Sequence, residues 1–153
     1  INNSSIRYLK KLLLPLCNLV TPNIPEAEVL TGRSILNKED MIKAAEKILN
    51  MGAKNVLLKG GHLKNKMIFD ILATKKRIKI FSKKKIKTKN THGTGCTLSS
   101  ALATCLSQNK NIVKSCKISL KYVNSAIVSA PSYGKGFGPL NHLVSLNLRN
   151  INV

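Results

Sequence analysis

The spacing of apolar residues along the chain predicts a series of helices. Apolar residues recur at helical intervals from Ile6 to Leu14, and Pro15 then bends or ends that helix. From Lys38 to Asn50 the apolar residues fall on one face, and Gly52 closes the helix. The same reasoning predicts three further helices, over Pro25 to Gly32, Thr94 to Leu106 and Ile112 to Ala130.

Short apolar runs between these helices predict strands. Asn55 to Lys59 is compact and apolar, and Gly60 with Gly61 follows it as a turn. The other predicted strands are Leu19–Val20, Met67–Ala73, Arg77–Phe81 and Lys85–Lys89, of which the middle ones join as a hairpin. Strands that alternate with helices indicate an α/β layered fold. No internal repeat or linker divides the chain, so we expect one domain, or part of one, over residues 1–153.

A glycine loop stands between the last predicted strand and the helix that starts at Thr94. The strand-like run KIKTKNTH leads into Gly93, Thr94, Gly95 and Cys96, and small apolar residues follow. Two glycines allow a tight turn, and the start of a helix presents free N–H groups that favour an anion. Cys96 falls in the first helical turn, where the positive end of the helix dipole favours a thiolate. The loop therefore predicts a phosphate cradle with its own base, while a glycine pair alone also suits a sharp connection without a ligand.

The chain is strongly basic, with 26 Lys and Arg against 6 Asp and Glu and a net charge of +20. Such a charge is typical of proteins that bind nucleic acid. Here, however, the lysines are scattered along the chain, aromatic residues make up only 4%, and no stacking pattern accompanies them. We therefore expect no specific nucleic-acid binding, and we expect the densest run, Lys83 to Lys87, to be a solvated turn and strand edge.

The cysteines and the apolar runs indicate the cellular compartment of the protein. The four cysteines show no CxxC spacing and no clustered histidines beside them, which argues against zinc and against a disulfide framework. A reducing cytoplasm is expected. The longest apolar run, LKKLLLPLCNLV, is interrupted by lysines and a proline, and no signal-peptide pattern precedes it. No membrane segment is predicted.

Four runs carry a resemblance to a known family. TPNIPEAEVLTG, VLLKGGHL, TKNTHGTGCTLSSALA and GKGFGPLNH occur in that order, and together they closely resemble hydroxymethylpyrimidine/phosphomethylpyrimidine kinases of the ribokinase superfamily. The resemblance covers nearly the whole chain. It implies a ribokinase-like α/β fold with a mostly parallel central sheet flanked by helices. It also implies two ATP-dependent phosphorylations in thiamine biosynthesis, of 4-amino-5-hydroxymethyl-2-methylpyrimidine and then of its monophosphate.

The resemblance assigns the chemical step to the glycine loop. Gly93, Thr94 and Gly95 would form the anion hole that stabilises charge on the transferring phosphoryl group. Cys96 stands where most ribokinase relatives carry an aspartate base, and it would accept the proton of the attacking hydroxyl. Phosphoryl transfer requires mainly positioning and charge neutralisation, which helix-end amides, a lysine and a magnesium ion supply.

The resemblance also assigns residues to ATP and magnesium. Asn23 and Glu26 fall on the NxxE pattern of the superfamily, so Glu26 would act on Mg²⁺ through water and Asn23 on phosphate. The remaining residues expected beside the nucleotide are Lys59, Gly60, Gly61 and Thr91. Each charged residue also has a structural interpretation, because an acid in a first helical turn stabilises its own helix and a lysine that closes a strand is usually solvated.

The histidines and the glycine-rich tail carry weaker signals. Isolated histidines are more often structural or exposed than catalytic, and of His62, His92 and His142 only His92, beside the loop, is a candidate for testing. The run GKGFGP is interpreted equally well as a loop that closes over the nucleotide and as a plain connection.

One departure from the family pattern concerns the start of the chain. Family members carry a glycine-rich segment near their own N-terminus that binds the pyrimidine, and nothing equivalent stands upstream of Ile6. We therefore expect the C-terminal portion of one kinase domain, lacking its N-terminal strands. Such a piece would expose an apolar edge and face, which predicts poor solubility or tight association.

The sequence is also compatible with other functions. Pyridoxal kinase is the alternative within the superfamily, because the two enzymes share a fold and some substrates. A basic nucleic-acid-binding module and an inactive remnant are the alternatives outside it. A small-molecule pyrimidine is the expected partner, and a homo-oligomer is left open.

Overall fold

The computed structural model describes residues 2–63 and 66–147. The chain divides into two compact units, Ile1–Lys85 and Ile86–Val153. The α-helices are α1 (Asn3–Tyr8), α2 (Ile24–Thr31), α3 (Lys38–Asn50), α4 (Thr94–Ser107) and α5 (Ile112–Val128), and the strands are β1 (Asn55–Leu58), β2 (Met67–Thr74) and β3 (Ile78–Lys84).

Helices α2 and α3 of the first unit start and stop where local signals predict. Helix α2 follows the N-cap Asn23, has Pro25 in its first turn and ends at Gly32, whose φ of +66° is the left-handed conformation that glycine adopts readily. Helix α3 has the predicted bounds, and its cap Asn37 accepts a hydrogen bond from the Asp40 N–H. Its apolar face is buried, and a fully buried side chain of the size of Met41 or Ile48 contributes about 1.5–3 kcal/mol. The buried residues are Met41, Ala44, Ala45 and Ile48.

The sheet of the first unit has three strands in the order β1-β2-β3, and both pairings are antiparallel. Strands β2 and β3 form the predicted hairpin, joined across residues 75–77. A connection this short can join only antiparallel neighbours, because parallel strands need a long crossover. Parallel pairing among the described residues of this unit is limited to the bridges Val20–Val56 and Asn23–Lys59 beside β1. The expected mostly parallel sheet is not confirmed.

The strand predicted over Lys85–Lys89 is wrong. Strand β3 instead extends to Lys84, because its backbone pairs with β2 as far as Met67. The residues from 85 to 91 have no regular structure, so the glycine loop follows an irregular segment rather than a strand. The prediction for the lysine run is confirmed in one respect, since its first two residues, Lys83 and Lys84, end β3, which is an edge strand of this sheet.

The first residues of the chain form one continuous helical segment with changing geometry. Helix α1 passes into a π-helical turn over Leu9–Leu13 and then a 3₁₀ turn over Leu14–Leu16, which contains Pro15. Proline has no N–H to continue the helix, which explains why the segment ends here. Only Leu14 is fully buried in the last turn, while Leu16 is 78% exposed.

The second unit consists of α4, α5 and a closing 3₁₀ helix over His142–Asn147. Helix α4 and this 3₁₀ helix both pack on α5. Cys105 and Cys116 are buried, as predicted for small hydrophobic side chains. The other buried apolar residues of the unit are Leu98, Leu102, Leu120, Val123, Ala126 and Leu140. No helix within the described residues is both long and apolar enough to cross a bilayer.

Candidate active site

The first unit brings Asn23 and Glu26 together in a reciprocal cap at the start of α2. The Glu26 N–H donates to Asn23 Oδ1 at 2.9 Å, and the Asn23 N–H donates to Glu26 Oε2 at 2.7 Å. This is a capping box, which satisfies two of the N–H groups that the start of a helix leaves without partners. The structure therefore shows the helix-stabilising interpretation of both residues. Glu26 is exposed.

The first unit also brings Asn23 beside Lys59. The two residues form a parallel bridge, and the Lys59 N–H donates to the carbonyl of Pro22 at 2.9 Å. Asn23, which caps α2, and Lys59, which follows β1, thus lie side by side where two neighbouring parallel segments end. This arrangement is known only from the tertiary structure, since the segments are distant in sequence.

The turn after β1 is held against β2 by a buried carboxylate. The Gly60 N–H donates to Asp70 Oδ1 at 3.0 Å, and Asp70 is only 4% exposed. A Cβ added at Gly60 would overlap the carbonyl oxygen of Phe69, so only glycine lets the turn approach the strand this closely. Lys85 Nζ donates to the carbonyls of Gly61 and Leu63 at 3.2 and 3.0 Å.

Asp70 is not among the residues predicted from the sequence. Burial raises the pKa of its carboxyl above the ordinary value, while Lys83, the hydrogen bond from Gly60 and Lys59 oppose that rise. A signal was available in the sequence, because one acid interrupts the otherwise apolar run of β2. A buried carboxylate needs a partner, but the sequence alone does not say which group supplies it.

The second unit places the glycine loop at the start of α4. Gly93 precedes the helix with φ +84°, a left-handed conformation, and no side chain caps the helix. The other four α-helices within the described residues each begin with an asparagine whose side chain accepts an N–H of the first turn. The start of α4 therefore keeps its first-turn N–H groups without a side-chain acceptor, which favours an anion there.

The other loop residues either make hydrogen bonds to the main chain or are exposed. The Thr94 N–H and hydroxyl both donate to the carbonyl of Thr91, at 3.3 and 3.1 Å, which closes the turn. Cys96 is the third residue of α4, and its side chain is exposed. Its thiol is thus accessible to a reacting group. His92 is exposed and its N–H donates to the carbonyl of Gly138 at 3.3 Å.

The glycine-rich tail is anchored to the segment before the loop. The buried Asn90 donates through Nδ2 to Ser132 Oγ at 2.7 Å, and a Cβ added at Gly138 would overlap the Asn90 side chain. Between these anchors Tyr133 and Phe137 are 72% and 79% exposed. The tail is therefore fixed at both ends, and its closing over a nucleotide stays a prediction.

His142, which the sequence does not mark as a candidate, has a defined partner. Its Nε2 lies 2.9 Å from the hydroxyl of Thr97, and that hydroxyl donates to the carbonyl of Gly93 at 2.8 Å. Both His142 and His62 are exposed. No pattern at sequence level pairs His142 with Thr97, since the contact joins the start of α4 to the tail.

The described residues contain no group of three His, Cys, Asp or Glu side chains that could hold a metal ion. They do offer Glu26, whose Oε2 is engaged by the Asn23 N–H and whose side chain reaches solvent. A single carboxylate fits a magnesium ion that keeps most of its water and is otherwise held by phosphate oxygens. The described residues do not fit a site in which several side chains bind the metal ion directly.

Comparison with known proteins decides the family. The family model described as phosphomethylpyrimidine kinase matches residues 1–141. The chain belongs to the phosphomethylpyrimidine kinase family. It is 45% identical over 145 residues to the thiamine biosynthesis bifunctional protein ThiED of Geobacter sulfurreducens, a match that spans 95% of this chain and 30% of that protein. It is 38% identical over 143 residues to the hydroxymethylpyrimidine/phosphomethylpyrimidine kinase of Bacillus subtilis, covering 93% of this chain and 53% of that one.

Solved structures resemble this member of the family as well. The pyridoxal kinase of Staphylococcus aureus in complex with AMP-PCP and pyridoxal superimposes with a TM-score of 0.91 at 29% identity, over 97% of this chain and 56% of that one. The phosphomethylpyrimidine kinase of Clostridium difficile gives a TM-score of 0.69 at 40% identity, over 82% and 50% of the two chains. The fold is thus ribokinase-like α/β. The chain spans about half the length of the Bacillus subtilis kinase that it matches.

Proposed function

We propose that the protein transfers the γ-phosphoryl group of ATP to 4-amino-5-hydroxymethyl-2-methylpyrimidine and then to its monophosphate, as a kinase of thiamine biosynthesis. The observation that carries the proposal is the start of α4, where Gly93 at φ +84° leaves the helix without a side-chain cap and Cys96 is exposed in the first turn. Membership of the phosphomethylpyrimidine kinase family supports it.

In the first reaction the hydroxymethyl oxygen attacks the γ-phosphorus of ATP. The new oxygen–phosphorus bond forms as the bond to the β–γ bridging oxygen breaks, and ADP leaves with that electron pair. In the second reaction a phosphate oxygen of the monophosphate is the attacking atom. The proton of the attacking hydroxyl passes to Cys96 Sγ, which acts as the base in its thiolate form.

The main-chain groups of Gly93, Thr94 and Gly95 stabilise the charge on the transferring phosphoryl group. This assignment follows the uncapped start of α4, where N–H groups and the helix dipole favour negative charge. Thr91 closes the turn through its carbonyl and lies beside the nucleotide. A preorganised site of this kind needs no reorganisation when charge develops.

Lys59, Gly60 and Gly61 lie beside the nucleotide phosphates, and Asn23 contacts phosphate from the neighbouring segment. The parallel bridge between Asn23 and Lys59 supports this pairing, because it places both residues at one edge. Glu26 holds Mg²⁺ through water. Magnesium, when bound, neutralises charge on the phosphate oxygens.

The two units belong to one kinase domain in this proposal. The support is that a single family model runs from residue 1 to 141, across the division between Lys85 and Ile86. We place the protein in the cytoplasm, where the thiols of its four cysteines stay reduced.

The test is ATP-dependent phosphorylation of 4-amino-5-hydroxymethyl-2-methylpyrimidine, followed by detection of the mono- and diphosphate products. Product formation that requires both ATP and Mg²⁺ is expected. Steeply salt-dependent binding to DNA or RNA together with no ATP binding would contradict the proposal and favour the nucleic-acid-binding alternative.

Pyridoxal kinase is the second candidate, and a structural observation favours it. The Staphylococcus aureus pyridoxal kinase superimposes more closely, with a TM-score of 0.91, than the Clostridium difficile phosphomethylpyrimidine kinase at 0.69. Sequence identity favours the first candidate, at 40% against 29%. Turnover of pyridoxal and of the pyrimidine, measured side by side, separates the two; faster phosphorylation of pyridoxal would reverse our order of preference.

A further inference from the structure

A two-step hydrogen-bond chain connects the tail of the molecule to the glycine loop. His142 Nε2 lies 2.9 Å from Thr97 Oγ1, and Thr97 Oγ1 lies 2.8 Å from the carbonyl oxygen of Gly93. Thr97 is 8% exposed, so its hydroxyl is shielded from bulk water, whereas His142 itself is exposed. The Thr97 N–H donates to the same Gly93 carbonyl at 2.9 Å.

The Gly93 carbonyl can only accept, and the Thr97 hydroxyl donates to it. In the contact with Thr97, His142 Nε2 donates to the hydroxyl oxygen in the tautomer whose proton lies on Nε2.

Hydrogen bonds to the main chain hold both ends of this hydrogen-bond chain. At the tail, Tyr122 donates through its hydroxyl to the His142 carbonyl at 3.0 Å, and the Asn141 N–H donates to the carbonyl of Ala126 at 3.0 Å. Both contacts fix the residues around His142 to α5. At the loop, the Gly93 carbonyl accepts from the Thr97 N–H at 2.9 Å, and the Thr94 N–H of the same peptide group donates to the carbonyl of Thr91 at 3.3 Å. The bond from the Thr97 hydroxyl adds a side-chain contact to this peptide group.

From these contacts we propose that His142 is a positioning residue for the anion hole, acting through Thr97 on the Gly93 peptide group. The proposal rests on the proposed function of the loop. Phosphoryl transfer depends on donors placed within a fraction of an ångström, so a small displacement of this peptide group lowers turnover more than it lowers nucleotide affinity.

Helix α4 contains a matched control for the threonine. Thr104 also donates through its hydroxyl to the carbonyl four residues back, Ser100, at 2.9 Å, but it is exposed and lies further along the helix. Thr97→Val and Thr104→Val therefore remove equivalent bonds within the helix, and only the first removes the link to His142. We expect Thr97→Val to lower kcat about tenfold or more with little change in KM for ATP, and Thr104→Val to leave both nearly unchanged.

The histidine is tested by truncation and by rescue. His142→Ala should lower kcat as Thr97→Val does, whereas His142→Gln, whose amide N–H₂ reaches a similar point as Nε2, should restore most of the turnover. Melting temperatures of all variants separate this effect from unfolding. Equal losses in His142→Ala and His142→Gln, or in Thr97→Val and Thr104→Val, would overturn the positioning role.

A second readout does not depend on turnover. The backbone amide resonances of Gly93 and Thr94 in a ¹H–¹⁵N NMR spectrum should shift in His142→Ala and return towards the wild-type positions in His142→Gln. Unchanged resonances in His142→Ala would refute the inference even in a protein without kinase activity. Lack of turnover in the wild type, by contrast, would count against the proposed function, and the amide shifts would still decide whether His142 orients the loop.

Discussion

Asp70 Oδ1 accepts a hydrogen bond of 3.0 Å from the backbone N–H of Gly60. The contact joins a strand interior to the turn after β1, and Asp70 is almost completely buried. One carboxylate thus supports the Lys59–Gly61 turn to which we assign the nucleotide phosphates. A change at either Asp70 or Gly60 should therefore affect both the turn and strand β2.

The stability of the protein should depend on pH through Asp70. Burial raises the pKa of this carboxyl in the folded chain above the ordinary value of 3.8. The folded state therefore binds the proton more tightly than the unfolded state, and the free energy of unfolding falls as pH rises from 3.8 through the raised pKa. Asp70→Asn keeps an oxygen acceptor for Gly60 and should remove this fall.

Urea unfolding at several pH values checks this prediction. At neutral pH the Asp70→Asn variant should be more stable than the wild type, and the difference should shrink at low pH. Glu46→Gln, which removes an exposed negative charge on α3, controls for the change in net charge. An unaltered pH slope in Asp70→Asn would show that Asp70 does not carry the effect.

Two neighbouring glycines should respond differently to alanine. A Cβ at Gly60 would overlap the Phe69 carbonyl, whereas a Cβ at Gly61 meets nothing within 4 Å. Gly60→Ala should lower the free energy of unfolding by about 1–3 kcal/mol, the usual range for overpacking. Gly61→Ala should stay within about 0.5 kcal/mol of the wild type. Chemical denaturation measures both, and equal effects would contradict the close approach of the turn to β2.

Cys96→Ala should lower turnover while the affinity for ATP barely changes. The thiol accepts a proton in the proposed reaction and does not hold the nucleotide, so its loss affects kcat rather than binding. General-base catalysis typically contributes about 100-fold to 10,000-fold. Cys96→Asp retains a proton acceptor and should keep more activity than Cys96→Ala. Steady-state kinetics with calorimetric ATP binding provide the measurement, and full turnover in Cys96→Ala would exclude the thiol as the base.

The exposed leucines of the N-terminal segment should promote self-association. Leu12, Leu13 and Leu16 are 59%, 53% and 78% exposed and lie close together in sequence. We expect them to act together as an apolar surface rather than as single exposed side chains. Leu16→Ser should increase the monomer fraction in sedimentation velocity. Leu36→Ser is the matched control, because Leu36 is also 78% exposed but lies in the loop before α3. The same gain in both variants would argue against an apolar surface at the N-terminal segment.

Local signals in the sequence determined much of the secondary structure. Helix α3 has the predicted bounds of Lys38–Asn50, and α2 ends at Gly32. Both elements are encoded by residues within a few positions of one another: an apolar face, a capping asparagine, a proline in the first turn or a glycine at the end. The glycine loop and Cys96 were located in the same way, because a helix N-terminus is a local feature.

Contacts between distant residues decided the rest. Strand β3 reaches Lys84 because β2 offers it partners, and antiparallel pairing follows from the short connection between the two strands. The bridge between Asn23 and Lys59 depends on how segments pack. A pattern of apolar residues shows which side chains are buried, but it does not show which buried donor meets which acceptor. That is why the sequence alone located the glycine loop and its thiol, whereas only the tertiary structure revealed that Asp70 holds Gly60 and that Thr97 links Gly93 to His142.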